Sequence, residues 1–195
     1  MNRLVLRRTA IRRLAAFGLA GHSAFAAGLD ARLTPEGVVV SAAGLPFLRG
    51  KALERLHDGG GVTADLLLSL STSAVGSPVR RAVGRFVVSY DLWEEKFAVT
   101  RTLPSKRSIS RLAGAAAEAW CLENLPLAVD GIAPARDFWL KLEIRLDERK
   151  PQSAVRGDSG ISLTGLVEIF SRTARAQQPN WLMEAGPLRL SNLKR

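Results

Sequence analysis

In Asp137-Phe-Trp-Leu-Lys-Leu-Glu-Ile-Arg-Leu-Asp-Glu-Arg149, the apolar residues Phe138, Leu140, Leu142, Ile144 and Leu146 alternate with Trp139, Lys141, Glu143, Arg145 and Asp147. A period of two puts the first set on one side of a strand and the second set on the other. Such a strand belongs to an antiparallel sheet with one face packed and the other wet. The alternating charges read most simply as cross-strand ion pairs on a solvated surface.

Three more strands precede it. Residues 62–73 place Leu66, Leu68 and Leu70 on one face and Asp65, Leu67, Ser69 and Ser71 on the other. Residues 80–93 oppose Ala82, Gly84, Phe86, Val88 and Tyr90 to Val83, Arg85, Val87, Ser89 and Asp91. After a tight connection at Glu94 and Glu95, residues 96–102 alternate again through Phe97 and Val99. Short connections between consecutive strands predict a meander. Val38-Val39-Val40 predicts a further strand over 38–43, since β-branched residues resist helix.

Helical spacing appears around this sheet. Leu48, Ala52, Leu53 and Leu56 predict a helix over 47–57, closed by Gly59-Gly60-Gly61 as a cap and not as a phosphate loop. Ile109, Leu112, Ala116, Ala119 and Trp120 predict one helix from Ser105 to Asn124, with Ser105 or Ser108 as its cap. Leu163, Leu166, Val167 and Phe170 predict another, and residues 188–193 a last edge strand. The expected class is therefore α+β, an antiparallel sheet (meander plus later strands) with two or three helices packed on one face.

Composition narrows the function classes. The chain has 195 residues with a net charge of +10, one Cys, two His and 47% apolar residues. That excludes a disordered chain, an intrachain disulfide framework and a multi-Cys metal site. Arg3, Arg7, Arg8, Arg12 and Arg13 all precede the first acidic residue, Asp30, and lead into a short apolar run and Ala24-Phe25-Ala26. This is the pattern of a signal peptide over residues 1–26, leaving 27–195 as a single α+β domain in the periplasm or otherwise exported. The general secretory route is expected, with Arg7-Arg8-Thr9-Ala10-Ile11-Arg12 leaving a twin-arginine route open and a retained anchor as the alternative to cleavage. Cleavage would leave 23 basic against 18 acidic residues, a net charge of +5.

The runs Ser89-Tyr-Asp-Leu-Trp-Glu-Glu-Lys-Phe97, Asp137 to Asp147 and Gly160-Ile-Ser-Leu-Thr-Gly-Leu-Val-Glu-Ile-Phe-Ser171 resemble an uncharacterised family of small exported bacterial proteins, a domain of unknown function. The resemblance implies an exported, membrane-associated or periplasmic protein. It implies no catalytic residues.

Few side chains could carry chemistry. Cys121 would need His57 as its base, and a buried structural thiol is the simpler reading. Asp91, Glu94 and Glu95 beside Trp93 could act as paired carboxylates or oxygen ligands, but a polar hairpin explains them and no calcium-loop spacing is present. No metal ligand set, no cofactor motif and no concentrated basic surface for nucleic acid emerges. Trp93, Trp139, Trp181 and Met183 are the candidate contact residues, with Asn180-Trp181-Leu182-Met183 read chiefly as an anchor that closes the core. The expected function is a non-enzymatic envelope protein binding a partner protein or an amphipathic ligand, with peripheral membrane contact open. The alternatives are a small periplasmic hydrolase or thiol enzyme, or a lipid carrier with an apolar cavity between sheet and helices.

Overall fold

The computed structural model describes residues 28–42, 45–147 and 180–195. A hairpin of β1 (Leu29–Thr34) and β2 (Gly37–Ala42) leads to helix α1 (Lys51–His57). Next come β3 (Val62–Ser71), β4 (Arg80–Asp91), β5 (Lys96–Leu103) and β6 (Arg107–Leu112), then helix α2 (Gly114–Glu123). β7 (Phe138–Asp147) and β8 (Asn180–Leu188) follow, with a 3-10 turn at Leu190–Asn192. Strands β3 to β8 form one antiparallel sheet in the order β6-β5-β4-β3-β7-β8.

Register sorts the side chains by face. Leu66 stands opposite Gly84 on β4 and Ile144 on β7, and Leu68 opposite Ala82 and Leu142. These residues share the covered face with Phe86, Val88, Val99, Phe138 and Leu140, nearly all of them out of contact with solvent. Each fully buried Leu, Ile or Phe contributes roughly 1.5–3 kcal/mol of transfer free energy, so the alternation in β7 alone commits that strand to one face. The cover consists of α1 against β3 and β4, α2 against β2 and β5, and the β1–β2 hairpin. Phe47, Leu56, Leu125 and Leu127 from this layer are as buried as the strands they meet. A lipid carrier would keep its cavity there; instead Phe47, Phe86 and Phe138 pack into that space.

The expected α+β class, with two or three helices on one face, is corrected by this architecture. Strand takes 51% of the described chain and helix 15%, made up of two α-helices of seven and ten residues and the three-residue 3-10 turn. Two local misreadings account for the difference. The helix expected from Ser105 is divided: residues 107–112 are edge strand β6, whose Ile109 faces Val99 and whose Leu112 faces Phe97. An i, i+3 spacing in a short polar segment fits a helix or an edge strand equally, and only Gly114 onward is helical. The other is β1, where Leu29, Ala31 and Leu33 alternate with polar residues and supply a strand to the cover. The expected edge strand at 188–193 is also displaced: β8 ends at Leu188, and Trp181 to Met183 lie within it. The signal peptide and the helix around Leu163 to Phe170 lie outside the described residues.

Two buried polar devices fasten the cover. Arg101 on β5 is 6% exposed and donates to the Ser105 carbonyl at 3.0 Å, the Ser105 hydroxyl at 2.7 Å and the Asn124 carbonyl at 2.8 Å. Its guanidinium thus fills the carbonyl-rich C-terminus of α2, where a cation is favoured. On the same helix, Glu118 accepts the Leu48 backbone N–H at 2.7 Å, tying α2 to the segment before α1.

Burial holds the Glu118 carboxyl above the usual carboxylate range, against the lowering effects of the Leu48 N–H and of Arg49. Its folded pKa therefore exceeds its unfolded one, so charged Glu118 opposes folding above the folded pKa. That opposition is relieved as pH falls through it. Glu118→Gln keeps an acceptor for Leu48 without the charge. Thermal melts should show the variant at least as stable as the parent at pH 7, with a smaller gain on acidification toward pH 4.

Candidate functional site on the open face of the sheet

The second face of the sheet has no cover among the described residues, and its side chains are mostly polar. At its centre Asp65 on β3 stands opposite Arg85 on β4 and Arg145 on β7. Arg85 holds Asp65 through a two-pronged pair, Nε to Oδ1 at 2.6 Å and the terminal nitrogen to Oδ2 at 2.9 Å. The pair raises the Arg85 pKa above its ordinary value, with Asp147 adding a smaller effect. A planar fork of this kind sets geometry as well as energy. It pins the β3–β4 register together with the neighbouring apolar pair of Leu67 and buried Val83.

Toward the β3–β4 turn this face deepens into a groove of about 330 Å³. Its floor is Ser69, Ser71, Trp139 and Lys141, and the turn at 74–78 forms one wall. Arg81 stands at the lip, exposed and without an ion pair among the described residues. Lys141 lies 3.8 Å from Glu143 and 4.0 Å from Glu184. Contacts that long between partly exposed groups are weak and exchange readily for a ligand's groups. Trp139 is seated by Gly186, whose φ is +152° and whose missing Cβ would fall 2.4 Å from the indole Cδ1. Leu182, on β8 opposite Glu143, adds an exposed apolar side chain to the same face.

The four candidate contact residues are dispersed. Trp139 lines the groove, while Trp93 projects from the β4–β5 turn with 97% of its surface exposed. Trp181 and Met183 point to the covered side of β8, opposite Ile144 and Leu142, and pack on the core. Sequence alone does not single out the residues that build the groove beside Trp139, although Ser69, Ser71, Arg81, Lys141, Glu143 and Glu184 lie on the alternating wet faces of β3, β4, β7 and β8. An Asp in the middle of Val62-Thr-Ala-Asp-Leu-Leu-Leu was the available signal, because a carboxylate there needs a partner across the ladder.

The chemical alternatives are not assembled. Cys121 is fully buried, and burial pushes its thiol far above the ordinary range. His57 is exposed on α1 with its ring 4.6 Å from that of Tyr90, and no hydrogen bond joins it to Cys121. Asp91 accepts the backbone N–H groups of Trp93 and Glu94 at 2.8 and 3.0 Å, which hold its carboxyl below the usual range. Glu94 is engaged by Arg111 through two contacts of 3.1 and 3.2 Å. These acids build a turn and do not converge on a substrate position. Among the described residues no group of three or more His, Cys, Asp or Glu could hold a metal ion, and no helix is long and apolar enough to cross a membrane. No protein-family model, curated protein or solved structure matches the chain.

Proposed function

We propose that this chain is an exported, periplasmic binding protein without covalent chemistry of its own, of the uncharacterised exported family it resembles. It takes a partner protein or an amphipathic ligand on the open face of its sheet. The observation that carries this reading is the groove beside Trp139, where Arg81, Lys141, Glu143, Glu184 and two serines surround an aromatic side chain on a face without cover among the described residues. Clefts of roughly 300–1,000 Å³ with an apolar floor and a few placed polar groups are the usual form of a ligand site. Arg81, unpaired among the described residues, favours a segment carrying a carboxylate together with an apolar or aromatic side chain. Burial of Cys121 and the engagement of Asp91 and Glu94 support binding over hydrolysis.

Gel filtration of the purified chain with a detergent-solubilised envelope fraction tests this. The chain should elute in a larger species, and Arg81→Glu combined with Leu182→Asp, both exposed changes, should abolish the shift. Trp93→Ala should leave it intact. A complex insensitive to the double variant, or substrate turnover without any stable complex, would refute the reading.

A further inference from the structure

The β4–β5 turn presents the largest exposed apolar group on the described chain, on a backbone braced by side-chain hydrogen bonds. Trp93 is 97% and its neighbour Leu92 55% exposed. The Asp91 carboxylate caps the two amides that follow Leu92, and Arg111 on β6 clamps Glu94 from the side. A turn backbone braced in this way loses little freedom on docking, which leaves chiefly the Trp93 rotamer to be fixed. Glu95, next to it at φ +52°, makes no ion pair among the described residues.

A membrane is a poor match for this tip, because beside its one Trp–Leu pair the carboxylates of Asp91, Glu94 and Glu95 outnumber the cations Lys96 and Arg111, and a basic excess is what draws a segment to anionic lipid. It fits a groove that offers an apolar surface with a cation at its rim. The groove at the other end of the sheet offers Trp139, Leu67 and Pro78 as that surface, with Arg81 at its lip unpaired among the described residues, while Glu143 and Glu184 on the far side stand near Lys141. Strand β4 separates the two sites: the ten steps from Arg81 to Asp91 span roughly 30 Å, so the tip cannot enter its own groove. We infer that the Leu92–Trp93 tip of one copy docks in the Trp139 groove of a second copy, with Glu95 meeting Arg81. The contact joins two different surfaces and so repeats head to tail.

This inference rests on the groove being a binding site, and the test separates the two. Sedimentation velocity of the full chain should show an average mass that rises with concentration. Trp93→Ala and Arg81→Glu should each weaken association at least about tenfold, as expected for loss of a central aromatic or its charge partner. An equimolar mixture of the two variants should form a dimer and stop there, because one intact tip and one intact groove remain. A wild-type chain that stays monomeric, variants that associate like the parent, or a mixture that forms no dimer would each overturn it. If the envelope complex nevertheless forms and still depends on Arg81, only self-docking fails; if that complex is missing as well, the groove reading fails with it.

Discussion

Gly37→Ala is expected to destabilise the chain by roughly 3 kcal/mol or more, seen as a lower denaturant midpoint with an unchanged slope. Gly37 opens β2 at φ +130°, a conformation that L side chains rarely adopt. A Cβ there would also lie 2.2 Å from the Leu127 carbonyl oxygen. That oxygen accepts the Val38 N–H at 2.9 Å, and the Leu127 N–H returns a bond to Val38 at 2.8 Å. Both bonds join the hairpin to the segment after α2, so relieving the clash separates two parts of the cover. Gly50→Ala is the contrast: its φ of +56° and ψ of −131° also favour glycine, but nothing lies within 4 Å of the added carbon. It should lose only the backbone term, roughly 1–3 kcal/mol, and less than Gly37→Ala.

Arg101→Leu is expected to cost about 3 kcal/mol by the same measurement. The guanidinium serves three acceptors, and its loss leaves a hole at the buried end of β5 and the half-buried Asn124 carbonyl short of a donor, while exposed Ser105 can turn to water. Hydrogen bonds to a charged group are individually worth about 1.5–3 kcal/mol, offset by the desolvation that the buried cation no longer requires. That desolvation is the largest influence on Arg101 and lowers its pKa from the ordinary value. Arg101→Lys should recover part of the loss only, because an ammonium cannot span the β5–β6 turn and the end of α2 together. Hydrogen exchange should then rise first at the amides of residues 105–108 and 120–125.

Much of the sheet is legible in the sequence. The alternation in β3, β4, β5 and β7 sorts side chains correctly between a covered and an open face, because inward apolar burial dictates which residues can occupy which positions. β6 is not legible: Arg107-Ser-Ile-Ser-Arg-Leu112 has too few apolar residues to distinguish a period of two from one of 3.6, and its pairing with β5 decides the matter. β8 is hidden similarly, since Gly186 and Pro187 interrupt an otherwise alternating run and suggest a loop. The covering layer was overestimated as helix because Leu29–Thr34 is half polar and its partner strand supplies most of the burial. The groove depends on which strands become neighbours. β3 meets β7 although 66 residues lie between the end of one and the start of the other, and no local pattern encodes that choice.

The two faces of the sheet differ in what can reach them. Ile144 and Leu142 on β7 are sealed by the cover and by β8, whereas Leu182 on the neighbouring strand stands in solvent on the open side. The native thiol of Cys121 is buried and protonated at neutral pH, so it stays silent to a thiol reagent in the folded chain. The most direct test is therefore the maleimide labelling rate of a Leu182→Cys variant, with and without the solubilised envelope fraction, set against Ile144→Cys. Labelling of the Leu182→Cys chain should be fast alone and clearly slowed by the fraction, while Ile144→Cys stays unlabelled throughout. Equal rates at the two positions, or a Leu182→Cys rate indifferent to the envelope fraction, would contradict an open binding face.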